Sequence, residues 1–377
     1  MNDSINNLCE TKLTEPTTEL DPKLIFEGRN KPSLKLGPEL NGLLLVDKPK
    51  SMTSHSLVAI IRRLAGQKGC GHTGTLDPMA TGLMLILLGF GTKLANFMVE
   101  ADKSYLAVIH LGLVTDTLDV TGQTIAEWSK PFPDLAMIQE VLKELEGPSQ
   151  QVPPAFSAIK VAGKPAYKAA RKGKMLDLPP RPVTAYSLSV VDYRPPFLSL
   201  KAFVSKGYYI RSLARDVGLK LGLGGGSLAD LRRLSVGSFT LEQAGAIPDD
   251  REELIARLLS PRQALYHLPE LVLPDPEVKA LSQGQRLFLP TIKTAEFRPA
   301  YSRSAMTGSA DKNTAELSAT DGTYKIINSS GLLVALGQVT SDGPEQGQKS
   351  TQEGNLALPE QSPQGPFLRP LRVFTLA

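Results

Sequence analysis

The stretch GHTGTLDPMATGLMLILLG occupies residues 71–89 and joins a loop of small residues to an apolar run. Its glycines permit positive φ angles and close approach by another molecule, while Pro78 disfavours a helical conformation at Asp77. The apolar run GLMLILLG is typical of a buried strand. We therefore predict that Asp77 lies in a shaped loop at the end of a buried strand, where loops often carry functional groups.

Two interpretations of Asp77 fit this loop. In the first, the carboxylate bonds only its own backbone in an Asx turn, which is the ordinary reason for an Asp-Pro loop. In the second, the small neighbours leave room for a ligand that must reach an acid. The loop alone does not separate the two, so the decision depends on the rest of the chain.

The charge distribution favours an anionic partner. The 377-residue chain is 41% apolar and 21% charged, which is typical of a soluble globular protein with two or three domains. Its net charge of +4 permits a polyanion without requiring one. Basic residues are nevertheless concentrated in two stretches, residues 157–182 and 206–233. Each could be a solvated face, but two of them beside strand patterns favour nucleic-acid binding.

Several classes of protein are excluded by simple counts. Cys9 and Cys70 are far apart, so neither a disulfide framework nor a cysteine zinc site is predicted, and the four histidines offer no helical metal pair. The segment GFGTK lacks the order of a phosphate-binding P-loop. No signal peptide and no apolar run of about 20 residues is present, so we expect a cytoplasmic protein that does not cross a membrane.

Strand and helix patterns alternate irregularly along the chain, which predicts an α+β fold. Strands are predicted at GLLLVDKP, GLMLILLG, KSYLAVIHLG, VTAYSLSVVDY, FLSLKAFV, TYKIIN, LLVALGQV and LRPLRVF. Helices are predicted at TSHSLVAIIRRLAG, over residues 134–146 with Leu135 facing inward, and after SKGYYIR. Thr53 or Ser54 should cap the first helix and Gly66 should end it.

Four residues could form a site together. If Arg211 approached Asp77, it would hold the carboxylate ionised, and Tyr105 or Tyr209 could stack on a planar group beside it. Such a set suits a nucleobase and a covalent nucleophile. Spacing does not show that these residues meet, since Tyr105 alone fits a strand-edge aromatic and Arg211 alone fits a solvated helix residue.

The succession of motifs resembles the bacterial TruB family of tRNA pseudouridine synthases. GLLLVDKPKSMTSH, GHTGTLDPMATG, KSYLAVIHLG with TDTLD, PPAFSAIKVAGKPAY, RPV and SKGYYIRSLARDVG follow in the family's order over about residues 40–239. The resemblance implies a pseudouridine synthase fold, with a central mixed, largely antiparallel sheet flanked by helices. It also implies that Asp77 is the nucleophile, that Tyr105 stacks on the target base, and that Tyr209 and Arg211 complete the catalytic set.

Further residues are implied as substrate-binding. The resemblance assigns the loop histidine to His72 and a pocket-lining leucine to Leu231. Lys48, Lys160 and Arg181 complete the predicted substrate-binding set. No cofactor and no metal are expected.

The periodicity and composition along the chain, together with the resemblance, predict the domain organisation and the partner. We expect a flexible tail over residues 1–39, a catalytic domain over 40–265 with an RNA-gripping insertion at about 150–182, and a PUA-like β domain with disordered insertions over 266–377. The partner should be the T-stem-loop of tRNA, bound by a monomer. The predicted reaction is isomerisation of one T-loop uridine, conventionally position 55, after base flipping. The alternatives are a non-catalytic tRNA-folding chaperone and a nucleotide-dependent enzyme built on GFGTK.

Overall fold

The computed structural model describes residues 38–99, 101–157, 159–161, 164–165, 178–289, 296–298, 322–340 and 367–374. Almost all of the predicted N-terminal tail, most of the basic segment before Pro182 and the predicted C-terminal insertions lie outside these residues. The predicted domain boundaries therefore remain predictions.

The described strands form two sheets and two short hairpins. In chain order they are β1 (Gly42–Lys48), β2 (Cys70–His72), β3 (Thr81–Leu88), β4 (Lys103–Leu111), β5 (Leu113–Thr115), β6 (Thr124–Glu127), β7 (Gly147–Gln151), β8 (Lys160–Val161), β9 (Lys164–Pro165), β10 (Arg181–Arg194), β11 (Phe197–Val204), β12 (Gly226–Val236), β13 (Phe239–Thr240), β14 (Glu270–Val272), β15 (Leu287–Phe288), β16 (Glu296–Arg298), β17 (Gly322–Ile327), β18 (Leu333–Thr340) and β19 (Phe367–Val373).

The described helices are fewer than the strands. The α-helices are α1 (Ser54–Ala65), α2 (Ala95–Val99), α3 (Leu135–Glu144), α4 (Ile210–Lys220), α5 (Arg251–Ala256), α6 (Pro261–Ala264) and α7 (Asp275–Ser282), and 3₁₀ turns cover Gly89–Leu94 and Leu241–Gln243. Among the described residues, no helix has the length and apolar character needed to cross a membrane.

The larger sheet has nine strands, and its main path runs β1-β3-β12-β4-β11-β10-β7, with β2 paired to β3 and β13 to β12. The β3–β12 pair is parallel, and the remaining pairs of this sheet are antiparallel. Helices α1, α3 and α4 pack their apolar faces on one side of it, where Leu57, Ile138 and Leu213 join a common core with Ile109 and Leu200. The predicted α+β class and mixed, largely antiparallel sheet are confirmed.

Helix α1 follows its local sequence. The Thr53 hydroxyl accepts a hydrogen bond from the Ser56 backbone N–H at 2.9 Å, and Gly66 ends the helix in the left-handed conformation at φ 65°. Leu57 and Ile61 are fully buried. The predicted cap and the predicted end are both confirmed.

Helix α3 differs from its prediction at the first turn. Asp134 caps it by accepting a hydrogen bond from the Met137 N–H at 2.9 Å. The predicted inward position of Leu135 is wrong, because this side chain is 43% exposed. The buried stripe is formed by Ile138, Val141 and Leu142, one turn further along, and the first turn of the helix lies in solvent.

Strand β12 lies in the middle of the larger sheet, yet its pattern predicted no strand. Its register places Arg233 opposite Gly82 of β3 and opposite Tyr105 of β4. Gly82 has φ +105°, and a Cβ at this position would lie 2.4 Å from the Arg233 carbonyl oxygen. Glycine therefore allows β3 and β12 to approach closely beneath the Asp77 loop.

The second sheet has six strands in the order β15-β19-β18-β17-β14-β16. It contains the predicted strands TYKIIN, LLVALGQV and LRPLRVF as β17, β18 and β19, which confirms them. Glu270 of β14 is fully buried and pairs with Lys325 at 3.0 Å and Arg262 at 2.7 Å. This ion-pair cluster ties the sheet to helix α6.

Candidate active site

The Asp77 loop connects β2 to β3 and is fastened to the start of α1. The Ser54 hydroxyl accepts a hydrogen bond from the Leu76 N–H and donates one to the Leu76 carbonyl, both at 2.9 Å. The Asp77 side chain remains 29% exposed. Its neighbouring backbone is thus fixed while its carboxylate stays accessible.

Asp77 and Arg211 form a two-pronged ion pair. Arg211 Nε lies 2.8 Å from Oδ2 of Asp77, and Nη2 donates to Oδ1 at 3.0 Å. Two parallel charge-assisted hydrogen bonds of this kind fix the orientation of a carboxylate as well as its charge. Both carboxylate oxygens are therefore engaged by Arg211, an arrangement that the Asx-turn interpretation does not describe.

The Arg211 guanidinium also contacts two other segments of the chain. It donates to the carbonyls of Thr117 at 3.1 Å and Phe156 at 3.0 Å, and its Nη1 lies 3.8 Å from Asp119 Oδ2. Asp119 is itself held by the Thr117 and Thr121 hydroxyls at 2.9 and 2.5 Å. Asp119 is not among the site residues predicted from the sequence, and its position in the TDTLD motif was the signal that could have identified it.

Burial and neighbouring charges act on the Asp77 carboxylate in opposite directions. Burial raises its pKa above the ordinary value; Arg211 opposes this rise and the Asp119 carboxylate adds to it. A carboxylate with little solvation is a stronger nucleophile or base than one in water, and the ion pair with Arg211 favours its charged form. The pair can therefore present a charged acid to a ligand.

Tyr209 lies beside this pair as the residue before α4. Gln151 of β7 accepts a hydrogen bond from the Tyr209 N–H at 2.8 Å and donates to its carbonyl at 3.2 Å. Burial raises the pKa of the Tyr209 phenol, while the charge of Arg211 opposes the rise. The strand β7 thus positions Tyr209 next to Arg211.

Tyr105 and Leu231 belong to the sheet beneath the loop. Tyr105 is 7% exposed and Leu231 5%, and both belong to the apolar core that also contains Leu76 and Met79 of the Asp77 loop. The Tyr105 phenol forms a hydrogen bond with Arg233. Tyr105 therefore lies in the interior rather than at an exposed strand edge.

His72 ends β2, opposite Ile86 of β3. Its Nδ1 is buried and has no hydrogen-bond partner among the described residues. Burial lowers the pKa of His72, and the charges of Arg233 and His55 lower it further, so the ring is neutral near pH 7. No group of three or more potential metal ligands occurs in the described part of the chain.

Lys48 requires a correction. It is fully buried, and its ammonium donates to the carbonyls of Pro49 at 2.8 Å, Met52 at 2.7 Å and, weakly, Pro78 at 3.4 Å. Burial lowers its pKa to about 8, against the opposing charge of Asp77. Its side chain therefore ties the β1–α1 connection to the Asp77 loop instead of offering a surface to RNA.

The remaining predicted residues are only partly described. Arg181 begins β10, is exposed, and lies opposite Gln151 of β7. Lys160 begins the short strand β8, but its side chain and most of the neighbouring basic residues lie outside the described residues. In the second basic stretch, Arg211 and Arg233 are buried instead of forming a solvated face.

The sequence matches a known family over the segment that contains Asp77, Tyr105 and Tyr209. A family model described as TruB family pseudouridylate synthase (N terminal domain) matches residues 62–210. The tRNA pseudouridine synthase B of Syntrophotalea carbinolica is 39% identical over 252 residues, which cover 65% of this chain and 81% of the relative. The corresponding protein of Parasynechococcus marenigrum is 42% identical over 252 residues, 66% of this chain and 85% of the relative.

Solved structures agree with this match. A chain of a Cbf5–Nop10–Gar1 complex has a TM-score of 0.56 at 26% identity and is aligned over 79% of this chain and 78% of that chain. A chain of an H/ACA RNP bound to a substrate RNA containing 2′-deoxyuridine has a TM-score of 0.59 at 23% identity, over 89% and 85%. Because the second chain is only 23% identical, its similarity supports the fold alone. Together they confirm the predicted pseudouridine synthase fold.

Proposed function

Because the chain belongs to the TruB family of pseudouridine synthases, we propose that it converts one T-loop uridine of tRNA, conventionally position 55, into pseudouridine. The observation that carries the proposal is the two-pronged contact of Arg211 with a partly exposed Asp77. The relatives named tRNA pseudouridine synthase B support tRNA as the substrate.

The target uridine must leave its stack before Asp77 can reach it. Extruding a base costs a few kcal/mol, and it costs least where the base is unpaired. A loop uridine meets this condition, and folded RNA is recognised largely by the shape of its loops. The small residues around Asp77 supply the close approach that an extruded nucleotide requires.

Asp77 then acts as the nucleophile, at C1′ of the ribose or at C6 of the uracil. The bond between N1 and C1′ breaks, the uracil turns, and a bond forms between C5 and C1′. The bond between Asp77 and C1′, or between Asp77 and C6, breaks in turn, which regenerates the free carboxylate. C5 loses one proton and N1 gains one from solvent, so the reaction is an isomerisation. Arg211 holds the attacking carboxylate in one orientation throughout.

We assign the removal of the C5 proton to Tyr105 rather than Tyr209. Tyr105 lies opposite Arg233 on the neighbouring strand and packs in the same core as Leu76 and Met79 of the Asp77 loop, which places its phenol close to the predicted nucleophile. Burial raises the pKa of Tyr209, which makes its phenolate harder to form. The Tyr105 phenol releases its own proton to solvent and then accepts the one from C5.

Tyr105→Phe is expected to reduce single-turnover pseudouridine formation by about 10²- to 10⁴-fold, the range typical of a lost general base. The aromatic face remains, so tRNA affinity should change little. Tyr209→Phe is the matched control and should lose less than about tenfold, because a hydrogen-bonding group that is not the base contributes less. Tritium release from C5-labelled uridine measures the rate, and the opposite ranking of the two variants would assign the base to Tyr209.

The choice of the T-loop is tested with isolated RNA arms. A T-stem-loop and an anticodon stem-loop, both transcribed with C5-tritiated uridine, are incubated separately with the enzyme. We expect tritium release from the T-stem-loop only. Release from the anticodon arm would contradict the assigned substrate, and tRNA binding without release from either arm would favour a folding chaperone.

A further inference from the structure

Arg233 is buried directly beneath the Asp77 loop. The residue is 2% exposed. Its Nε donates to the Leu83 carbonyl at 2.7 Å, and its Nη2 and Nη1 donate to the carbonyls of Gly74 at 3.2 Å and Thr75 at 3.5 Å. The last two carbonyls belong to the loop that carries Asp77. One side chain thus links the loop to β3.

The position of Arg233 is set by the sheet. Its register opposite Gly82 and Tyr105 fixes its backbone between β3 and β4. From there its guanidinium reaches Tyr105 on one side and the Asp77 loop on the other. Movement of this side chain would therefore disturb the predicted nucleophile and the predicted base together.

The charge of Arg233 is not neutralised locally. Its partners in the described part of the chain are carbonyls, the Met84 sulfur at 3.1 Å and the Tyr105 phenol, and none of them is a carboxylate. Burial of an unpaired charge costs stability, and a well-packed apolar side chain would serve a purely structural role better. The positive field also reaches neighbouring groups, since it lowers the pKa values of Lys48, Lys103 and His72.

We propose that Arg233 is a positioning residue for the reaction. It holds the carbonyls of Gly74 and Thr75 so that Asp77 meets Arg211, and it orients and stabilises the Tyr105 phenolate that accepts the C5 proton. This inference rests on the proposed function and adds a residue that acts through Asp77 and Tyr105 without touching the RNA.

The test compares Arg233→Lys and Arg233→Gln with Arg232→Lys. Arg232 is the neighbouring arginine on the same strand and pairs with Asp47 at 2.6 Å. Single-turnover tritium release and tRNA affinity are measured well below each melting midpoint. We expect both Arg233 variants to lose about 10²-fold or more in rate with affinity nearly unchanged, while Arg232→Lys, which keeps the charge that pairs with Asp47, stays within about threefold.

A second measurement separates this role from simple support of the fold. Difluorotyrosine, whose phenol is more acidic, is placed at position 105 in the wild type and in Arg233→Lys. If Arg233 acts by stabilising the phenolate, this replacement should restore at least about tenfold of the lost rate in Arg233→Lys and give little gain in the wild type.

Three results would overturn the inference. They are wild-type rates in the Arg233 variants, a loss of rate without rescue by difluorotyrosine, and failure of both Arg233 variants to fold. An inactive wild-type protein would instead contradict the proposed function itself.

Discussion

Asp77→Asn is expected to abolish pseudouridine formation, lowering the single-turnover rate by at least about 10⁴-fold, as loss of a covalent nucleophile does in other enzymes. Asparagine keeps the size and one oxygen of aspartate, so Arg211 can still donate to it and the loop should keep its shape. The amide is neither charged nor nucleophilic. Tritium release from labelled tRNA measures the rate, and filter binding should show tRNA affinity within about threefold of the wild type.

The matched control is Asp116→Asn. Asp116 lies in the same segment as Asp119, and its carboxylate accepts a hydrogen bond from the Gln123 N–H at 2.8 Å, away from Arg211. The net charge changes equally in both variants, so general electrostatic effects on RNA binding are matched. Near wild-type turnover by Asp77→Asn, or equal losses in both variants, would remove Asp77 from the role of nucleophile.

The same assignment predicts a pH dependence. Because burial raises the pKa of Asp77, the protonated, unreactive form should accumulate at a higher pH than for an exposed aspartate. The wild-type rate should therefore fall as the pH is lowered through this raised value.

The second large effect is expected at Arg211. Arg211→Lys keeps one positive charge but cannot span both Asp77 oxygens and the carbonyls of Thr117 and Phe156. We expect a loss of at least about 100-fold in single-turnover rate, similar to the removal of one aligned catalytic donor. The variant should still fold, with a free energy of unfolding lower by about 1–3 kcal/mol because buried carbonyls lose their donor.

Arg215→Lys serves as the control for helix α4. Arg215 lies one turn further along, is 25% exposed and pairs with Asp216 at 2.7 Å. It should keep wild-type turnover and nearly wild-type stability. Full activity of Arg211→Lys with an unchanged melt would show that the ion pair with Asp77 is not needed for the reaction.

Local sequence patterns predicted most of the elements that frame the site. The alternation in KSYLAVIHLG corresponds to β4, in which Tyr105, Ala107 and Ile109 are buried and the residues between them are less so. The helix α1 begins and ends at its predicted cap and glycine. In these segments the local sequence determines the conformation. An apolar repeat of two residues is therefore enough to predict the strand, and one of 3.6 residues is enough to predict the helix.

The site itself could not be predicted from spacing. Asp77 and Arg211 are 134 positions apart, and their contact depends on the order of strands in the sheet. Only the resemblance of successive motifs to a known family joined them in advance. The burial of Lys48 was missed for a related reason, since its partners are backbone carbonyls, which no side-chain pattern reveals.

Strand β12 shows why a local rule fails near a functional site. Its apolar pattern is interrupted by Asp230, Arg232 and Arg233, so the sequence of this segment does not predict a central strand. Arg232 pairs with Asp47, but Arg233 is buried with its charge intact beneath the Asp77 loop. A charged residue at a buried strand position departs from the usual apolar pattern and lowers stability. Such departures are expected near functional sites.

The proposed reaction and the role of Asp77 are tested most directly by mapping pseudouridine in an unmodified tRNA transcript after incubation with wild type or Asp77→Asn. The wild type should produce one pseudouridine, at the T-loop uridine conventionally numbered 55, and the variant should produce none while still binding the transcript. Absence of pseudouridine with the wild type, a different position, or equal modification by Asp77→Asn would contradict this proposal.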